Sequence, residues 1–145
     1  MSNVPATLRL TLSPRLSELT RIRNELDRYL RDGSLPETVR STLLVVAEEV
    51  LINIVNYGCC DEASDTIEVK IEQESTVVHM EFIDSGKPFN PLKEAGRATA
   101  GQLVDNMEPG GFGVHLVREL TNYQEYARKA DRNYFRITKH IFPPK

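Results

Sequence analysis

The stretch LVVAEEVLINIVNYG, from Leu44 to Gly58, constrains this chain more than any other. It is apolar enough for a core helix, yet it carries two acids and two asparagines. At about 100° per residue, Val39, Leu43, Val46, Val50 and Ile54 form the main core stripe. Thr42, Glu49, Asn53 and Asn56 project together beside it, and Val45 and Ile52 lie on the far side, so apolar residues flank the polar strip on both edges. Burying an unpaired carboxylate or amide is costly, so such a strip faces either internal hydrogen-bond partners or a solvated cavity. Glu48 projects toward solvent and reads as a surface charge. The helix has its own start signal in Ser34-Leu35-Pro36-Glu37, with an N-cap serine, an early proline and a glutamate three residues after the cap. It should run to about Tyr57 and stop at Gly58.

The remaining elements follow from periodicity. ATLRLTL, from Ala6 to Leu12, alternates and puts Leu8, Leu10 and Leu12 on one face of a strand. From Arg15 to Leu30, Leu16, Leu19, Ile22, Leu26 and Leu30 recur at helical spacing, and Arg31-Asp32-Gly33 ends that amphipathic run. After a turn around Asp61 to Ser64, TIEVKIEQE and TVVHMEFID alternate on either side of Glu74-Ser75 and predict a hairpin. Ser85 to Pro109 has no sustained periodicity and reads mostly as a long loop with room for a short helix, a kind that is usually functional or mobile. GGFGVHLVRELT then opens a third helix, and YQEYAR and NYFRITKHIF read as two closing strands. Strands clustered in this order predict an α+β fold, with antiparallel strands covered on one face by helices, rather than alternating βα units.

Composition narrows the function classes. At 145 residues with 40% hydrophobic content, one domain over residues 1–145 can bury a core without disulfides or metal. Eighteen basic residues against 21 acidic ones give an evenly spread net charge of −3, which argues against a direct nucleic-acid partner. No basic-apolar leader pattern and no apolar run of about 18 residues stands in the sequence, so no membrane partner and a cytoplasmic location are expected. Cys59 and Cys60 are adjacent, which suits packing better than a disulfide or zinc pair. His79, His115 and His140 are scattered without ligand spacing.

Two further stretches bear on the polar strip. FIDSGKPFNP places Asp84 at the end of an apolar strand, with Gly86 where a glycine permits close backbone approach. EPGGFGVHL sets Gly110, Gly111 and Gly113 just before a helix, where free N–H groups and the positive dipole end receive an anion. No Gly-Lys-Ser/Thr follows, so this is not a P-loop.

Glu-x-x-x-Asn on a helix, Asp-x-Gly after a strand and Gly-Gly-x-Gly opening a later helix, in this order, resemble the GHKL ATPases. Within them, EEVLINIVNYG, DSGKPFNP and GGFGVHLVREL look most like the bacterial anti-sigma factor serine/threonine-protein kinases. The resemblance implies a Bergerat-type two-layer sandwich of a mixed, mostly antiparallel sheet covered on one face by helices. It implies Glu49 as general base, Asn53 as ligand to Mg²⁺, and Asp84 as acceptor for the adenine amino group of ATP or ADP. By the same resemblance Gly86 makes room for the ring, the segment 91–109 is a lid, and Gly110, Gly111 and Gly113 cradle phosphates. The implied partners are a sigma factor, an anti-anti-sigma antagonist that is phosphorylated, and a second copy of the chain paired through the first strand. The chemistry agrees: a carboxylate deprotonates a hydroxyl, and an amide oxygen suits a hard cation that keeps its other ligands as water and phosphate.

The chain also departs from the family pattern. Pro88-Phe89 follows Asp-x-Gly in place of a second glycine, and Glu108-Pro109 stands where some relatives carry an arginine, leaving Lys87, Lys93 or Arg97 as phosphate contacts. Asn133-Tyr134 occupies the place of the family's adenine-contacting threonine, and Thr138 reads as an ordinary strand residue. A nucleotide-binding regulatory module acting only through protein contacts is the alternative, against which the pairing of Glu49 with Asn53 argues. A histidine-kinase fragment would need a phospho-accepting histidine on a helical hairpin, which neither His79 nor His115 resembles.

Overall fold

The computed structural model describes residues 5–58, 64–92 and 113–142. β1 (Leu8–Leu12) leads through a 3₁₀ turn (Leu16–Glu18) into α1 (Leu19–Asp32), and α2 (Glu37–Asn53) continues as a π-helical turn (Ile54–Gly58). β2 (Ile67–Gln73) and β3 (Val77–Asp84) form the hairpin, and α3 (Gly113–Leu120), β4 (Tyr123–Lys129) and β5 (Arg132–His140) follow. The order is the one that the periodicities predict.

The five strands form one sheet in the order β1-β2-β3-β5-β4. Every pairing among the described residues is antiparallel, so the sheet is more uniform than the mixed one expected. Alternation decides the faces. Ile67, Val69 and Ile71 of β2, Val78, Met80 and Phe82 of β3, and Phe135 and Ile137 of β5 are buried in one cluster with Ile22, Leu26 and Leu30 of α1 and Leu43, Val46 and Val50 of α2. The intervening Glu68, Lys70, Glu81 and Arg136 are only partly covered, which leaves the other sheet face to solvent. Phe82 and Phe135 meet across β3 and β5 with ring centroids 6.5 Å apart. Burying each such side chain contributes roughly 1.5–3 kcal/mol relative to exposure.

The junction between the first two helices differs from expectation. Ser34 is not the N-cap of α2; Pro36 is, in an extended conformation, with no side-chain cap. Ser34 instead sits in the left-handed region at φ 59°, with its N–H on the Arg31 carbonyl at 3.0 Å, so it closes α1. Gly33 itself has a right-handed φ of −79°. The Gln73 amide lies over it and donates Nε2 to the Gly33 carbonyl, so a Cβ there would displace the end of that side chain.

The end of α2 carries a second correction. A wider π turn takes over at Ile54 and breaks the 100° projection, so Asn56 turns out to solvent. Val45 is likewise 37% exposed, while Ile52 on the same edge is partly covered, so the far apolar edge of the polar strip is only in part buried. Glu48 is exposed as expected and pairs with Arg23 at 3.2 Å.

Candidate functional site

Three segments carry the candidate residues: the second half of α2, the end of β3 with the loop after it, and the start of β5. The core stripe of α2 packs down against the sheet and carries Asn53 into the interior at 1% exposure. Its Oδ1 is buried without a hydrogen-bond partner among the described residues. A buried amide oxygen left unmade costs about 1–3 kcal/mol, so this atom fits a hard cation or a bound water. One turn earlier, Glu49 is half-buried. Burial, and then the neighbouring Glu48 charge, push its carboxyl above the usual range. A carboxylate tuned upward is a better proton acceptor.

Asp84 closes β3 at 2% exposure, in register with Ile67 on one side and Asn133 on the other. Its Oδ1 accepts two hydrogen bonds, from the Gly86 N–H at 2.9 Å and from Asn133 Nδ2 at 2.9 Å. Burial pushes this carboxyl up, and Asp65 adds to the push; Asn133, the Gly86 N–H and Arg128 pull it back. Arg128 also donates to the Gly86 carbonyl at 2.8 Å and so ties the loop to β4. A buried carboxylate with neutral donors on one oxygen is an acceptor built for a specific donor.

Gly86 is required by the protein's own backbone. A Cβ at this position would collide with the Gly58 carbonyl oxygen at the end of the π turn. The room that the sequence reading gave to a ligand ring is thus taken up, on this side, by the end of the α2 extension. Tyr57 stacks on Phe89 of the same loop with centroids 6.3 Å apart. Gly86→Ala is therefore expected to lower stability by about 1–3 kcal/mol through overpacking against backbone. Urea denaturation measures it, and an unchanged midpoint would mean that the contact yields freely.

The remaining expected residues divide. Gly113 lies within α3, at the first described position after residue 92, and not before the helix as the motif suggested. Gly110, Gly111, Lys93, Arg97 and all but the first two residues of the 91–109 lid lie outside the described residues, as do Cys59, Cys60, Glu108 and Pro109. Lys87 is exposed, and its backbone carbonyl is bound by Asn133 at 2.7 Å. Thr42 separates from the strip: it lines a different cleft of about 340 Å³ with Asn122, Lys139, His140 and Phe142. Another cleft, of about 230 Å³, lies between α1 and α2 beside Arg23, Arg31 and Arg40. Neither includes Glu49, Asn53 or Asp84. Thr138 packs its hydroxyl on His79 at 2.8 Å in the sheet, an ordinary strand role. The residue that sequence reading undervalued is Asn133, which is 2% exposed and bonded to Asp84. In RNYFRITKH it has the parity of the buried Phe135 and Ile137, and a polar side chain on an apolar face was its signal.

The class that this antiparallel sheet backed by helices belongs to is given by its sequence profile. The sequence profile of the histidine kinase-like ATPase domain matches residues 12–139, and the chain belongs to that family. Among particular relatives, it is 29% identical over 105 residues to the serine/threonine-protein kinase BtrW of Bordetella bronchiseptica, covering 72% of this chain and 73% of that one. Its fold matches the crystal structure of the RsbU and RsbW domains of Rv1364c from Mycobacterium tuberculosis with a TM-score of 0.66 at 14% identity. That match covers 97% of this chain, which spans only 34% of the larger one. The histidine kinase domain of the blue-light activated kinase from Erythrobacter litoralis matches at TM-score 0.55 and 18% identity, over 86% of this chain and 60% of its own. Both structural likenesses speak for the fold.

Proposed function

We propose that this chain is a single-domain anti-sigma factor and protein serine/threonine kinase. In this reading it binds MgATP, sequesters a sigma factor and phosphorylates an anti-anti-sigma antagonist. The observation that carries the reading is Asn53, a buried amide whose oxygen has no partner among the described residues, one helical turn from a half-buried glutamate. Its likeness to a serine/threonine-protein kinase supports the same direction.

Each residue then has one task. Asp84 accepts the adenine amino group, and Asn53 holds Mg²⁺ through its amide oxygen. Gly110, Gly111 and Gly113 offer backbone N–H groups to the phosphates at the start of α3. Bound MgATP supplies the transferable γ-phosphoryl group and the charge neutralisation that its departure from ADP needs. Glu49 orients a serine or threonine hydroxyl of the antagonist and takes its proton as that oxygen bonds to phosphorus. The phosphate added to the antagonist carries roughly two negative charges, which favours release from an acidic or apolar surface. Among the described residues β1 is an edge strand, which supports pairing of its outer side with a second copy across a two-fold axis.

The test is calorimetry with MgATP and MgADP, with and without chelator, followed by transfer to the co-purified native antagonist. Micromolar, Mg²⁺-dependent binding, a phosphorylated antagonist and a dimer by light scattering are expected. A folded protein that releases no heat with either nucleotide overturns the reading. Nucleotide binding without any transfer reduces it to a regulatory module.

A further inference from the structure

The carboxylate assigned above to the adenine amine does not stand alone. Asn133 lies directly across from it in the β3–β5 register, buried to the same extent. Its side-chain amide makes four hydrogen bonds. Nδ2 donates to Asp84 Oδ1 at 2.9 Å and to the Lys87 carbonyl at 2.7 Å. Oδ1 accepts from the Phe89 N–H at 3.2 Å and from the Tyr126 hydroxyl at 2.6 Å. Two donors and two acceptor lone pairs are all that an amide has, so this one is saturated.

Saturation fixes the orientation. Flipping the amide would turn both donors toward an N–H and a hydroxyl and set its oxygen against a carboxylate and a carbonyl. No threonine hydroxyl supplies four bonds, and an aspartate in the same place would set a second carboxylate against Asp84. We infer that Asn133 is the positioning residue for base recognition: it clamps Oδ1 of Asp84, aims Oδ2 at the nucleotide, and ties that carboxylate to the Lys87–Phe89 loop and to β4. This rests on the nucleotide-binding reading of the same site. It adds that the discrimination of adenine from other purines depends on a residue that does not itself touch the base. Within the described residues both hydrogen bonds to Asp84 fall on Oδ1, in agreement with Oδ2 as the ligand face.

The experiment compares ATP with inosine triphosphate, whose base presents a carbonyl where adenine presents its amine. Wild type should favour ATP, since a fixed carboxylate attracts the amine and repels the carbonyl. In Asn133→Ala, ATP affinity should fall about 10- to 100-fold, the scale of a lost hydrogen bond to a charged group, with inosine triphosphate nearly unchanged. The preference for adenine therefore collapses. Asn133→Asp keeps the shape and serves should the alanine variant not fold; it should lose the same preference through carboxylate repulsion. A merely structural role would lower both affinities by one factor and leave the ratio intact, which overturns the inference. Wild type that binds neither nucleotide removes the proposed function itself, a distinguishable result. Wild-type binding with an unaltered ratio in either folded variant removes only the role of Asn133.

Discussion

Asp84→Asn is expected to abolish detectable nucleotide binding, a loss of about 100-fold or more, in a protein that folds at least as well as wild type. The amide is isosteric, and its oxygen can still accept from the Gly86 N–H and Asn133. The face turned to the ligand changes from acceptor to donor and opposes the adenine amine. Stability moves the other way. Burial raises the folded-state pKa of Asp84 above its unfolded value, so ionisation works increasingly against folding as pH rises from below the unfolded value to above the folded one. The neutral amide removes that cost. Calorimetry and thermal melts at neutral and acid pH read both effects together. Retained binding in the folded variant would take base recognition away from Asp84.

Glu49→Gln should leave nucleotide affinity within about twofold and lower phosphoryl transfer by about 10² to 10⁴, the range for a lost general base. The split between binding and transfer is the informative quantity. Burial and Glu48 hold the Glu49 carboxyl above the usual range, so the wild-type transfer rate should fall on the acid side at a higher pH than an exposed glutamate would give. Glu48→Gln should move that limb to lower pH, because one of the two causes is gone. Single-turnover rates across pH on the native antagonist check this. Equal losses of binding and transfer in Glu49→Gln would assign the residue to structure.

The element order, the strand faces and the segments bearing Glu49, Asn53 and Asp84 were legible because they rest on short-range periodicity. The alternation in TIEVKIEQE and TVVHMEFID predicts the hairpin, and the structure buries Ile67, Val69, Met80 and Phe82 on its one face. What was not legible depends on contacts distant in sequence or on irregular backbone. Ser34 looks like a cap from its neighbours alone. The structure instead puts it at a positive φ after α1, next to a Gly33 whose carbonyl is bound by Gln73, forty positions later in the chain. Asn56 was misplaced because a uniform 3.6-residue period does not anticipate a π turn. Asn133 was seen only as a missing threonine, because its meaning lies in Asp84 and Lys87, more than forty positions earlier in the chain.

The contact between Gly58 and Gly86 has an evolutionary side. Two main chains touch there with no side chain between them, so a substitution at Gly86 demands retreat of the π turn, and Phe89 crowds Gly58 from its other side. The constraint is one-sided: a Cβ at Gly86 meets a main-chain carbonyl that any residue at position 58 would carry, while a Cβ at Gly58 meets only the Phe89 ring, so position 86 is the less free to drift. Lys87 and Pro88, both exposed, carry no such debt to their neighbours. Divergence among descendants of this chain should therefore accumulate at 87 and 88 before it reaches 86.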